Sequence, residues 1–174
     1  MTAERSWVML AYHLPREPST PRIALWRRLR QLGAVRLVDG VAMLPRTART
    51  EEQLEWLAAG IVETGGEASV WVNLPTTSEA TELLMARMGD ERTAEYEALA
   101  VEAEEALRTA GVARARALSR LRGQLEQVRQ RDYVAPPARE RAAQAIEALA
   151  SEQPTKQSAS PGRRRPTAAV PEEP

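Results

Sequence analysis

The hydrophobic pattern of the first half of the chain alternates between short apolar runs and amphipathic segments. Residues 7–14 (WVMLAYHL) form a continuous apolar run of strand length that Pro15 interrupts, which predicts a buried strand. After a turn at EPST, Thr20 is expected to cap a helix with Pro21 at its first position, where a missing N–H costs nothing. Gly33, which tolerates the left-handed backbone of a helix end, follows this helix.

A hairpin and a second amphipathic helix come next. The segments AVRLV and VAML flank Asp39-Gly40, a dipeptide that favours the tight turn of a β-hairpin. Thr50 and Gln53 have the spacing of a capping box at the start of a helix. The apolar residues of that helix recur at helical spacing, at Leu54, Leu57, Ala58, Ile61 and Val62. A pair of consecutive glycines is expected to end it.

A fourth strand completes the pattern. Residues 68–74 have strand composition and end at Pro75. The resulting order, βαββαβ, is typical of the ferredoxin-like topology, in which an antiparallel sheet carries both helices on one face. We therefore expect an α+β, ferredoxin-like domain over residues 6–75.

The second half of the chain favours helices. Residues 79–106 are rich in alanine and glutamate, and residues 112–131 are rich in arginine, with Gly111 between them. Apolar side chains of the second segment follow heptad-like spacing, at Leu118, Leu121, Leu125 and Val128. Residues 90–106 have a net charge of −6 and residues 107–131 have +6. Opposite charge and similar length predict an antiparallel helical hairpin.

A short terminal helix and a polar tail are expected after the hairpin. Pro136-Pro137 breaks the chain and can start a helix that runs to about Leu149. We expect residues 78–150 to form a helical extension that packs on the sheet domain. Residues 151–174 contain five prolines and few apolar side chains, which predicts a disordered tail.

Composition excludes several classes of chemistry. The chain has 174 residues, no cysteine and a single histidine, so a thiolate nucleophile, a zinc site or an iron–sulfur site is not expected. It has no Ser/His/Asp set, no phosphate-binding glycine loop and no metal motif. We expect no cofactor, no metal and no enzymatic activity. Neither a signal peptide nor a membrane span is recognisable, which favours a cytoplasmic protein without a membrane partner.

The charge is zero overall but unevenly distributed. Residues 1–50 contain nine arginines and three acids, residues 51–106 contain fourteen acids and two arginines, and residues 107–150 have a net charge of +5. A basic first segment can bind polyanions while the whole molecule stays neutral. The use of 23 arginines and one lysine is explained by a GC-rich coding bias, but that bias does not explain the clustering.

Four arginines of the first predicted helix are the candidate binding residues. On a helical wheel, Leu25, Leu29 and Leu32 share the side that faces the sheet, with Trp26 at its edge. The arginines occupy different positions around the rest of the wheel: Arg27 and Arg30 outward beside Ile23, Arg28 at the border, and Arg22 inside the apolar arc. Their guanidinium groups, with that of Arg16, could contact several phosphates. The alternative is a solvated helix face, and Arg22 must either extend to solvent or meet a partner.

Two tryptophans and the histidine have structural interpretations as well. Trp56 lies opposite the apolar stripe of the second helix, so it is expected to be exposed. Trp71 should lie on the sheet face that the two helices do not cover, and we favour the C-terminal helices or a dimer mate as its cover over a nucleic acid base. His13 has no acidic neighbour in sequence, which favours a hydrogen-bonded structural histidine.

Two segments resemble a known family. The stretch WVMLAYHLPREPSTPRIALWRRLRQLGAVRLVDGVAMLP is similar to the opening of the N-terminal domain of the chromate resistance regulator ChrB, and SRLRGQLEQVRQRDYVAPPARE is similar to its closing basic helix. A fainter similarity to PaaX repressors and small CRISPR-associated nucleases covers only the first strand, helix and strand. Those nucleases have an acidic residue where this chain has Tyr12-His13-Leu14, which argues against nuclease activity.

The ChrB resemblance implies a chromate-responsive transcriptional regulator. It implies that the basic residues bind promoter DNA, which places that role on Arg22, Arg27 and Arg28, with Arg30 beside them. We expect a homodimer, so that two basic faces engage one operator. Full-length relatives continue into a chromate-sensing domain, so we also expect a separately encoded ChrB-like sensor partner, unless the protein responds to another signal or to none. The alternative function is a non-enzymatic module that docks such a sensor through the helical hairpin.

Overall fold

A computed structural model describes residues 6–151, and these form four strands and five helices. In chain order the elements are β1 (Trp7–His13), α1 (Thr20–Leu32), β2 (Val35–Val38), β3 (Val41–Pro45), α2 (Ala48–Glu63), β4 (Glu67–Asn73), α3 (Ser78–Ala106), α4 (Gly111–Arg129) and α5 (Ala138–Ser151). The mixed α+β class and the order of its elements are as predicted. Within residues 6–151, no helix combines the length and apolarity that a bilayer crossing requires.

The strands form one antiparallel sheet in the order β2-β3-β1-β4. The central strand β1 pairs with β3 and β4, so that Leu10 lies opposite Ala42 on one side and Val70 on the other. The hairpin turn predicted at Asp39-Gly40 joins β2 to β3, and Gly40 has a φ of 78°, which favours glycine. Both edges of the sheet, β2 and β4, have one neighbouring strand each.

The two faces of the sheet are covered differently. Alternation along β1 places Val8 and Leu10 on one face, where both are fully buried, and Tyr12 of the same face lines a depression with residues of α1. On the opposite face Trp7 is fully buried, but Trp71 of the edge strand β4 is 57% exposed. The C-terminal helices of the same chain therefore do not cover Trp71, contrary to one of our two expectations.

The helices α3, α4 and α5 have a core of their own. Its buried residues include all four heptad positions predicted for α4, at Leu118, Leu121, Leu125 and Val128. α3 packs against both α4 and α5. The first half of α3 instead adds Leu84 and Met88 to the core beneath the sheet, where Tyr133 and Val134 also pack. The three helices are called the helical layer below.

Three local predictions were wrong by a turn or less. α1 has Ser19, not Thr20, at its N-cap, and no side-chain hydrogen bond caps it. The capping box of α2 is formed by Thr47 and Thr50 instead of Thr50 and Gln53, because Thr50 occupies the third helical position and bonds back to the Thr47 backbone. Val62, predicted on the apolar stripe, is 57% exposed, while its neighbour Ile61 is buried, so the stripe is narrower at the end of α2 than predicted. The predicted disordered tail lies outside the described residues except for Ser151, which ends α5.

Candidate nucleic-acid interface

α1 is held to the sheet by a narrow apolar stripe. Leu25, Leu29 and Leu32 are buried, as the wheel predicted, and each lies one turn from the next. The rest of the helix surface is exposed and contains four arginines and no acidic residue. The sequence therefore uses one side of this helix for folding and leaves the other sides cationic.

The C-terminal end of α1 is fixed against the segment between α4 and α5. Gly33 ends the helix with a φ of 74°, and a Cβ at this position would lie 2.5 Å from the carbonyl oxygen of Arg131. The hydroxyl of Tyr133 donates a hydrogen bond to the carbonyl oxygen of Leu32 at 3.1 Å. Burial raises the pKa of the Tyr133 hydroxyl, so this donor stays protonated at neutral pH. The helix is thus fixed at its C-terminal end.

The four predicted arginines are all exposed, and none forms an ion pair with an acid of residues 6–151. Arg28 donates a hydrogen bond to the side-chain oxygen of Gln31 at 3.3 Å. The guanidinium carbon of Arg30 lies 5.0 Å from the ring centroid of Trp26, a cation–π distance. These contacts orient two of the side chains without neutralising their charge.

The structure divides the cluster around the helix. Arg22 and Arg30 flank Trp26, which lines both the depression beside Arg22 and a wider cleft between α1 and α3 beside Arg30. Arg28 lies on the opposite flank and lines a groove shared with α2 and α4. Arg27 lines none of these depressions and occupies the outermost position. A ligand that contacts all four guanidinium groups must therefore wrap around the helix.

Arg22 lies within the apolar arc of α1, and its side chain extends to solvent. It is exposed and lines a depression of about 300 Å³ with Tyr12, Leu25 and Arg36. Its aliphatic stem can cover the apolar lining while its charged end stays hydrated. No acid of α1 lies in this first turn, where the positive end of the helix dipole disfavours a cation.

Sequence reasoning missed two arginines that lie close to the cluster. Arg36 of β2 lies opposite Ala42 and faces α1, and it also forms an exposed ion pair with Asp39. Arg49 of α2 lines the same groove as Arg28. The alternation of β2 could have placed Arg36, whereas only the arrangement of α1 and α2 around the same core brings Arg49 near Arg28.

Several arginines of the helical layer and of the segment between α4 and α5 have a different environment, because they lie beside acids of the same chain. The ion pairs are Arg120–Glu102 at 2.5 Å, Arg131–Glu95 at 3.1 Å, Arg141–Glu104 at 3.5 Å, Arg122–Glu147 at 3.7 Å and Arg139–Asp132 at 3.8 Å. Arg92 is buried and lies 3.2 Å from both Glu91 and Glu95. The opposite charges predicted for the acidic and basic helices therefore form ion pairs within the chain.

The other candidate residues do not form a reactive site. His13 is exposed at the end of β1, and its side chain has no hydrogen-bond partner among residues 6–151, contrary to the structural role we expected. Trp56 is 73% exposed, as predicted. In the part of the chain that the structure describes, no three acidic or histidine side chains are grouped closely enough to bind a metal ion.

Parts of the chain are similar to known proteins. A family model described as "Protein ChrB, N-terminal" matches residues 22–109, which include all four arginines of α1. Protein ChrB of Cupriavidus metallidurans (strain CH34) is 32% identical over 96 residues, which are 55% of this chain and 26% of that protein. The match thus spans about a quarter of the length of this curated relative. No solved structure matches the chain.

Proposed function

The chain belongs to the family of ChrB N-terminal domains, and on that premise we propose that it is a transcriptional regulator of chromate resistance that binds promoter DNA through α1. The observation that carries the proposal is that Arg22, Arg27, Arg28 and Arg30 are exposed and have no acidic partner in residues 6–151. Such a protein would act in the cytoplasm.

Unpaired guanidinium groups on one helix suit a polyanion. Each arginine can donate two parallel hydrogen bonds to phosphate oxygens, and each neutralised phosphate releases counterions from the DNA. The arginines extend from the first turn of α1 to its last, and they surround the helix on three sides. This spread supports contact with both walls of a DNA groove rather than with a single phosphate.

We also assign the sheet domain to the ferredoxin-like class. The βαββαβ order and the position of β1 between β3 and β4 support this assignment. The division into residues 6–75 and an extension of residues 78–150 is retained as a proposal. It is supported by the separate core of the helical layer, although the first half of α3 packs into the sheet core.

The regulatory partners belong to the same proposal. We propose a homodimer, in which two basic faces would engage one operator, and a ChrB-like sensor protein as a partner. The alternative of a docking module based on the helical hairpin has less support, since Arg120, Arg122 and Arg141 are engaged by acids of the same chain. These three arginines are thus less available to a partner than the arginines of α1.

The test compares two double variants in DNA binding. Arg27→Ala with Arg30→Ala removes two unpaired cations of α1, whereas Arg120→Ala with Arg122→Ala removes two cations of α4 that have acidic partners. Fluorescence anisotropy with a labelled duplex from the promoter of the neighbouring operon gives the affinity at several salt concentrations. If the two α1 residues contact phosphates, the slope of log K against log salt should fall by about two.

The α4 double variant controls for net charge. It should bind the promoter duplex with the slope of the unchanged protein, because its charges are balanced locally. Equal losses in the two double variants would indicate a nonspecific charge effect, and an unchanged α1 variant would overturn the role of that helix.

A further inference from the structure

A polar groove separates α1 from α2 and α4 on the side of Arg28. Amide and guanidinium side chains from three elements line it: Arg28 and Gln31 of α1, Arg49 and Gln53 of α2, and Gln127 and Gln130 at the end of α4. No Asp or Glu of residues 6–151 lines this surface, which we call the glutamine groove. Its lining thus offers N–H donors and positive charge, and one lining cation, Arg131, is paired with Glu95.

The walls of the glutamine groove are held in place by contacts behind it. Arg131 bridges the helical layer, since its Nη2 lies 3.1 Å from Glu95 and its Nη1 donates to the carbonyl oxygen of Gln127 at 3.3 Å. The hydrogen bond from Tyr133 to Leu32 joins the same segment to the end of α1. A ligand would therefore meet donors whose backbone positions are already fixed, which lowers the entropy cost of binding.

Arg49 occupies an electrostatically unfavourable position within this groove. It is the second residue of α2, in the first turn, where the helix dipole disfavours a cation. It is exposed and has no ion-pair partner in the described part of the chain. Neither packing nor an ion pair explains an arginine here, whereas an anion bound in the groove would.

Building on the proposed function, we propose that the glutamine groove is a second DNA contact, in which Arg49 and the amides of Gln53 and Gln130 bind phosphates of one strand. The groove is continuous with the arginine-bearing surface of α1, because Arg28 belongs to both. A strand that crosses α1 at Arg27 and Arg28 would thus continue between α2 and α4. The chemistry is donation of N–H groups to phosphate oxygens, which is independent of base sequence.

The experiment measures the affinity of the full chain for a labelled 30-base-pair duplex over a series of salt concentrations. Arg49→Ala should weaken binding about tenfold at 0.1 M salt and lower the salt slope by about one, for promoter and scrambled duplexes alike. Arg49→Lys should recover most of the slope. The matched control is Arg122→Ala, which removes one cation of α4 that lies near Glu147 outside the groove.

The outcomes separate this inference from the function on which it rests. If Arg49→Ala binds like Arg122→Ala while the Arg27/Arg30 double variant loses affinity, the glutamine groove is not a DNA contact and the α1 assignment stands. If Arg49→Ala loses affinity while the double variant does not, the groove stands and the α1 assignment falls. If the duplex binds neither the unchanged protein nor any variant, the groove and the α1 assignment are both overturned.

Discussion

The arginines of α1 and those of the helical layer are the same side chain placed in opposite surroundings. Between Glu17 and Asp39 the sequence has five arginines and no acid, and no arginine of α1 forms an ion pair within residues 6–151, although acids of α3 line the cleft beside Arg30. Arg120 of α4 and Arg141 of α5 instead lie within 4 Å of glutamates of α3. The difference shows that the distribution of acids, more than the number of arginines, decides which cations remain available to a ligand.

The two arrangements also differ in what they contribute to stability. Exposed ion pairs contribute little, because hydration and salt screen them. The pairs of the helical layer therefore neutralise charge more than they hold the helices together, which its apolar core does. Arg92 is the exception, because its side chain is only 5% exposed.

The largest effect is expected from Arg92→Ala. The substitution leaves a cavity and removes the cation next to Glu91 and Glu95, so we expect a loss of about 3 kcal/mol in the free energy of unfolding. Urea denaturation followed by circular dichroism measures it. Arg27→Ala, an exposed arginine of α1, should change the same quantity by less than about 0.5 kcal/mol. Similar losses in the two variants would remove the distinction between the two regions.

A second effect tests the joint between α1 and the helical layer. Gly33→Ala forces a Cβ to within 2.5 Å of the Arg131 carbonyl oxygen at a φ of 74°, so we expect a loss of about 2 kcal/mol. Gly123→Ala in α4 is the matched control, because a Cβ there meets no atom within 4 Å. It should stabilise the helix by up to about 1 kcal/mol. A Gly33→Ala protein as stable as the control would mean that α1 is not fixed at this end.

Particular residues show how far the sequence could predict these two regions. Local patterns were sufficient for the buried stripe of α1, for its end at Gly33 and for the heptad positions of α4, because each depends on spacing along one element. The start of α2 was misplaced by three residues, because Thr47 and Thr50 satisfy each other's backbone as well as a Thr–Gln pair would.

The sequence predicted only part of the candidate site, because the rest depends on how separate elements pack. A helical wheel could show that Arg27 faces outward, and it could not show that Arg22 lines a depression with Tyr12. The convergence of Arg28, Arg49 and Gln130 depends on the packing of three elements that are far apart in sequence. No periodicity within one segment contains that information.

Alkaline pH should distinguish the two regions through their tyrosines. Tyr96 is fully buried in the helical layer, and desolvation, together with its 2.9 Å hydrogen bond to Asp132, raises its pKa well above the usual value of 10.0. Its folded pKa exceeds its unfolded pKa, so its contribution to stability is present below pH 10 and is lost as the pH rises. The loss should reach about 1.4 kcal/mol per pH unit above pH 10.

Tyr96→Phe is the variant that isolates this contribution, and urea denaturation at pH 8 to 11 measures it. The variant should lose stability more slowly than the unchanged protein as the pH rises. Tyr133→Phe, beside α1, should remove a smaller part of the pH dependence, because its side chain is partly exposed and its hydroxyl donates to a carbonyl oxygen rather than to a carboxylate. Identical pH profiles for Tyr96→Phe and the unchanged protein would contradict the assigned cause.

The smallest effect is expected at the Arg120–Glu102 pair, an exposed ion pair of the helical layer. Both side chains are partly exposed, at 53% and 37%, so their coupling energy in a double-mutant cycle should be about 0.5 kcal/mol and should fall in high salt. A coupling above about 2 kcal/mol would mean that the pairs of the helical layer hold its helices together. The acids of α3 would then be explained by stability, and the lack of ion pairs on α1 would no longer distinguish a binding surface from a structural one.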